Sequence, residues 1–174
     1  MKWISHKLLT GLMVYSLTND AIGATISAFG ALIPDKVENQ DYNNFDLNRH
    51  RKFSHWFVPY TFFALVFYLV IYFKAKKIPD LFEIVKYFFT DFKLTWNFIS
   101  TNHVILIITV FFYFLVGCIF HLLEDSISGR IPLLNPKKKV FGVKLIETNS
   151  THEYIFTFIV TIVFFIFIGR KILT

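Results

Sequence analysis

Four short polar groups in an otherwise greasy sequence have the residue types of a metal site. His6 stands near the start. Pro34-Asp35 follows at the end of an apolar stretch. His50-Arg51-Lys52-Phe53-Ser54-His55 leads into a second apolar stretch, and His121-Leu122-Leu123-Glu124-Asp125 ends a third. Each group alone reads equally as an interfacial histidine or a turn. Within the last group the spacing is informative: His121 and Asp125 are i, i+4 on one helical face, with Glu124 at i+3. An imidazole and a carboxylate placed so can reach one cation. His50 and His55 are i, i+5 and share no helical face, so one belongs to the loop and the other to the start of the helix, with Ser54 as a plausible N-cap. Neutral imidazole and carboxylate ligands suit Zn2+, and with more carboxylates Mn2+ or Fe. A divalent metal with an open position activates water and polarises a phosphoryl or carbonyl oxygen, so hydrolysis is the simplest chemistry for such a group. Structural zinc sites usually use several cysteines, and this chain has one, Cys118, which reads as core.

The elements that must position these residues are apolar helices. The chain has 174 residues, 55% hydrophobic and 17% charged, with 23 Phe, and its mean hydropathy is +0.52. Disorder, collagen, coiled coil and a disulfide scaffold are excluded by this composition. A soluble domain of this size cannot cover so many Phe side chains, so the expected class is an all-α integral membrane protein forming a single domain over residues 1–174. Residues 56–73, 103–120 and 154–169 are apolar runs without a charged residue. A run of 18 residues makes a helix of about 27 Å, just enough for a hydrocarbon core of about 30 Å.

The first segment is different. Residues 8–17 and 21–33 are both apolar, but Thr18-Asn19-Asp20 divides them. One continuous span would set Asp20 near the bilayer midplane at a cost of at least about 2.5–3.5 kcal/mol. Two shorter helices turning at Asn19-Asp20 avoid that cost where the turn is buried or reaches water. A signal peptide reading, with Lys2 and Lys7 before residues 8–17, fits less well because the sequence after Ala21 stays apolar. Residues 81–99 are amphipathic, with Asp80 as N-cap and Glu83 three residues on; they read either as a helix in the membrane interface or as a further buried helix. The expected architecture is therefore a helical hairpin, three transmembrane helices and one interfacial amphipathic helix.

The hairpin has a consequence for the polar groups. His6 and Asp35 then emerge on one membrane side, the second span starts there at His55, and the third returns there with His121 and Asp125. All six ligand candidates, His6, Asp35, His50, His55, His121 and Asp125, arrive at one face. A shared metal requires His6 and Asp35 to lie within about 5 Å of His121 and Asp125.

The four ordered motifs resemble the YdjM family, membrane-bound bacterial proteins described as metal-dependent hydrolases and similar to zinc-dependent phospholipase C and P1 nuclease. The family pattern is an N-terminal His, Leu-Pro-Asp-x-Asp, His-Arg-x-x-Thr-His and His-x-x-x-Asp. Here these read His6, Ile33-Pro34-Asp35-Lys36-Val37, His50 to His55 and His121 to Asp125, followed by Gly129-Arg130-Ile131-Pro132-Leu133-Leu134-Asn135-Pro136, similar to a Gly-x-Pro-Leu-Leu-x-Pro segment. The resemblance covers residues 5–146. It departs at Val37, where the family has its second Asp; either Glu38 takes that place or a second metal is absent.

The resemblance implies a phospholipase C-like helical core, one or two divalent ions, zinc foremost, and a phosphoester substrate with a phospholipid favoured. His50 is then either a sixth ligand or an acid facing the phosphate. Glu124 or Glu38 is a candidate base for the water, although Glu124 reads more readily as a solvated helix-face charge. Arg51, Lys52 and Arg130 are candidate phosphate donors, or headgroup anchors. A metal-stabilised scaffold or partner subunit and a membrane-associated nuclease are the alternative functions. The net charge of +6 is expected to meet membrane lipids rather than nucleic acid. Basic residues are more numerous on the expected site side, which places that face in the cytoplasm and the chain as a multi-pass protein of the cell (inner) membrane, although the Lys74, Lys76, Lys77 cluster opposes this. Oligomeric state and substrate are not legible in the sequence.

Overall fold

The structure, a computed structural model, describes residues 1–37 and 53–173. It is helical almost throughout. In chain order the elements are α1 (Trp3–Thr18), α2 (Ala21–Gly30), α3 (Ile33–Val37), α4 (Phe57–Ala75), α5 (Leu81–Thr90), α6 (Phe92–Ser128), the short strands β1 (Ile131–Pro132) and β2 (Lys139–Phe141), and α7 (Thr151–Leu173). Three helices, α4, α6 and α7, are long and apolar enough to cross a membrane. Phe, Ile, Leu and Val side chains such as Phe62, Phe73, Phe111, Phe158 and Phe165 point outward from them, as hydrocarbon solvent requires.

The hairpin forms where the sequence places it. Asn19 takes the left-handed conformation (φ 60°, ψ 8°) that closes α1, and Asp20 caps α2 by accepting from the N–H groups of Ile22 and Gly23 at 3.0 and 2.9 Å. The same carboxylate also accepts from Leu81 and Phe82 at 2.9 and 3.2 Å, the first turn of α5. Asp20 is buried, and its charge is tolerated because two helix N-termini converge on it.

The amphipathic segment is not one helix. Asp91 ends α5 and, with its side chain accepting from Leu94 N–H at 3.1 Å, starts α6. Residues 92–99 therefore belong to the third span's own helix, which at 37 residues is about 55 Å long and outreaches the hydrocarbon core. Asp80 caps α5 through Glu83 N–H at 3.0 Å, as the sequence indicates.

α6 is the central element, packed along α2 on one side and α4 on the other, while α1 lies on α2 and α7 on α1. The α2–α6 contact is backbone to backbone. A Cβ at Gly117 would stand 1.9 Å from Ser27 O, and one at Gly30 would stand 2.1 Å from Phe114 O. Ser27 Oγ donates to Tyr113 O at 2.7 Å, and Cys118 Sγ approaches Gly30 O at 3.3 Å, so Cys118 is indeed core. Small residues at helix crossings replace the hydrophobic drive that lipid does not supply. Glu153, buried at the start of α7, accepts from Lys2 N–H and Ser5 Oγ at the start of α1 and from Asn149 N–H. This clamp sets α1, and His6 with it, against the rest.

Candidate metal centre

Each ligand-type residue is delivered by a helix end. α1 carries His6 in its first turn, just before its apolar length. The turn after α2 leads into α3, whose Pro34 is followed by Asp35. His55 stands next to Trp56, the N-cap of α4. α6 presents His121, Glu124 and Asp125 in its final turns, and Gly117, one turn earlier, lets α6 approach α2 closely enough to meet Asp35.

His55 Nε2 lies 3.2 Å from His121 Nε2, 3.4 Å from Asp35 Oδ1 and 3.3 Å from Asp125 Oδ2. His121 Nε2 lies 3.5 Å from Asp35 Oδ1 and 3.8 Å from Asp125 Oδ2. Four ligands at about 2.0–2.1 Å from a tetrahedral ion stand about 3.3–3.4 Å from one another. The five distances scatter around that edge length, and all four atoms lie within 4.8 Å of each other. The three histidines His6, His55 and His121 are buried, as is Asp125, and the Asp35 side chain is 14% exposed. Burial pushes the Asp35 carboxyl up, but the imidazoles of His121 and His55 beside it hold it well below the usual carboxylate range. It is an anion ready to bind a cation.

His6 stands next to this group, on the other oxygen of Asp125. Its Nε2 is 3.4 Å from Asp125 Oδ1, and its ring centroid is 4.0 Å from that of His121. The ammonium at Met1 meets the same Asp125 Oδ1 at 2.9 Å. A positive charge therefore already stands on that side of Asp125. Its two oxygens face two different cation positions. Among the described residues, His6 Nε2 and Asp35 Oδ1 are buried and accept or donate no hydrogen bond. Polar atoms of this kind are rare unless an ion or water belongs between them. The donor set and its spacing fit a divalent metal.

Two supporting contacts escaped the sequence reading. Ser54 does not cap α4, whose N-cap is Trp56 with no side-chain bond; its hydroxyl instead lies 2.8 Å from His55 Nδ1. The local reason is that two residues separate Ser54 from the first helical turn, so its oxygen reaches the imidazole rather than the helix N–H groups. Glu124 is buried, with Oε2 2.5 Å from His6 Nδ1 and Oε1 accepting from Thr10 Oγ1 at 2.9 Å. A carboxylate on Nδ1 leaves the Nε2 lone pair facing Asp125, which is how histidine ligands are commonly oriented. Thr10, at i+4 from His6 on α1, carried a signal only in that spacing.

Of the remaining candidates, only Arg130 and Val37 are among the described residues, and neither belongs to the cluster. Glu38, His50, Arg51 and Lys52 lie outside the described residues. Arg130 is exposed just beyond α6, and Val37 is exposed at the end of α3. The loop after α6 is tied to the start of α4 by Trp56 Nε1, which donates to Leu134 O at 3.0 Å. His103 is exposed on the N-terminal half of α6, away from the site.

No curated protein and no solved structure matches the chain. One family model does, across residues 1–173, and this span takes in every helix end that builds the cluster. The chain belongs to the YdjM inner membrane protein family.

Proposed function

We propose that this protein is a membrane-bound, metal-dependent hydrolase that cleaves a phosphoester, with a phospholipid-like substrate favoured. The observation that carries the reading is the near-tetrahedral spacing of His55, His121, Asp35 and Asp125 at the ends of α3, α4 and α6. Nitrogen and carboxylate donors without thiolate suit zinc, and also manganese or iron. A divalent cation held there supplies Lewis acidity toward water and toward a phosphoryl oxygen. His6, on the second oxygen of Asp125, is placed to hold a second ion or to exchange a proton beside the first. Glu124, bonded to His6 and Thr10, orients His6 and is poorly free to act as the base itself. Arg130, exposed just beyond α6, carries a guanidinium of the kind that binds a phosphate. The site at the ends of membrane helices suits an amphiphile whose headgroup lies in the interface, and the surplus of basic residues on this side argues for the cytoplasmic face.

A second reading is favoured by the burial. Structural zinc sites are closed by four protein ligands, and here four ligands stand together with little exposure. In that case the metal holds α3, α4 and α6 together without turnover. Metal analysis by mass spectrometry on the purified full chain, paired with hydrolysis of a chromogenic phosphodiester, tests both. The hydrolase reading expects bound metal in the wild type and loss of both metal and hydrolysis in His121→Ala. Bound metal with no hydrolysis of phosphodiester, phosphomonoester or phospholipid, and a His121→Ala protein that unfolds, supports the scaffold. A wild type without affinity for any of the three metals refutes both.

A further inference from the structure

A second polar site lies at the other end of the helices, where the sequence has its short basic linker. α4 runs from the metal cluster for 19 residues to Ala75 and closes at Lys76 in the left-handed conformation (φ 63°, ψ −18°). Between this end of α4, the Asn19-Asp20 turn and the start of α5 is a cavity of about 480 Å3. Its lining includes Lys76 and Lys77 from the linker, Tyr68 and Tyr72 one helical turn apart on α4, and the carboxylates Asp20 and Asp80.

The charges in this cavity are not equivalent. Asp20 is engaged by four backbone N–H groups, and Asp80 accepts from Glu83 N–H. Both carboxylates thus face helix N-termini that offset their charge. Lys76 and Lys77 have no ion pair among the described residues, and the Tyr68 and Tyr72 hydroxyls have no hydrogen bond there, the two rings lying stacked at 6.3 Å. Two lysines and two tyrosines, each bearing a hydrogen-bond donor, line one space. That set recognises a phosphoryl oxygen. Ile71, Ile78, Thr18 and Tyr113 complete the wall, and α4 continues with the exposed apolar side chains Leu69 and Phe73. A ligand with a phosphate and hydrocarbon chains satisfies both parts.

We propose that this cavity binds the phosphate headgroup of a membrane phospholipid, with Lys76, Lys77, Tyr68 and Tyr72 as its donors and the acyl chains along α4. The site is separate from the metal cluster and stands whether or not that cluster is catalytic. The test is native mass spectrometry of the full chain in detergent, titrated with phosphatidylglycerol. One lipid should be retained at saturation. Lys76→Gln/Lys77→Gln should weaken retention about tenfold, and Tyr72→Phe about threefold, as expected for lost charge-assisted and neutral hydrogen bonds. The lysines are exposed, so thermal midpoint and metal content should match the wild type. Lys137→Gln/Lys138→Gln, in the loop after α6, should retain lipid normally. Equal retention in all variants overturns the proposal, because binding would then be a general property of the lipid-facing surface. Displacement of the lipid by millimolar inorganic phosphate overturns the lipid assignment and makes free phosphate the occupant.

Discussion

Gly117→Ala tests whether the metal cluster depends on the closeness of α2 and α6. The new Cβ would stand 1.9 Å from Ser27 O and 2.7 Å from Ser27 C. A carbon–oxygen contact needs about 3.3 Å, so the helices must part by about 1.4 Å. The partner atom is backbone inside a helix, and a rotamer change does not relieve it. Alanine gains about 1 kcal/mol of helix propensity over glycine. Against this, overpacking costs about 1–3 kcal/mol, and the Ser27 to Tyr113 O hydrogen bond at 2.7 Å is strained with it, a further ~1 kcal/mol. The net is a loss of about 1–3 kcal/mol. The greater effect falls on the metal. His121 is one turn beyond Gly117, and its distances to Asp35 and His55 have little slack around a tetrahedral edge of about 3.3–3.4 Å. Parting the helices moves His121 and Asp125 away from Asp35, which follows α2. Metal affinity, measured by competition with a chromophoric chelator on detergent-solubilised protein, should fall at least about tenfold, the scale seen when a ligand loses its support. Gly169→Ala, where nothing lies within 4 Å, is the control and should bind as the wild type. A Gly117→Ala protein that keeps wild-type affinity and melting midpoint refutes the claim that this crossing sets the site.

Glu124→Gln keeps the shape but removes the charge on His6 Nδ1; metal affinity should drop about 10–100-fold, with the fold retained by circular dichroism. A drop in hydrolysis at unchanged metal affinity would instead make Glu124 a base. Asp20→Asn replaces an oxygen that accepts from α5 with an NH2 that cannot. It should lower stability by about 2–4 kcal/mol, from bonds to a charged group worth about 1.5–3 kcal/mol each, read as denaturant midpoint. Metal retention should also fall with acid. Asp35 is held below its usual range by His121 and His55, so its contribution is full above about pH 4 and is lost only as the pH falls through a lower value. The imidazoles must be neutral to bind, and they set the limit. Metal should therefore be released by acid, read as metal content against pH, and a metal content that does not fall on acidification would contradict the histidine and carboxylate ligand set.

Much of this molecule was written in its residue types. The Phe-rich runs determined helices in lipid, because hydrocarbon admits little else. Asp20 in mid-run determined the hairpin, since a charge there must find donors, and the spacing of His121 and Asp125 determined that both face one way. Motif order determined that His6, Asp35, His55 and His121 reach a common side. The distances among them did not follow from order. Tertiary structure decided that four lone-pair atoms sit at the spacing of a tetrahedral ion, because this depends on a backbone crossing at Gly117 and Gly30 that no local pattern encodes. It also turned Glu124 inward to His6 and Thr10, and Ser54 toward His55 instead of the helix. It split residues 81–99 at Asp91, where a capping carboxylate outweighed the continuous amphipathic period. Periodicity fixes which face a side chain occupies; what stands opposite that face is settled only when the helices pack.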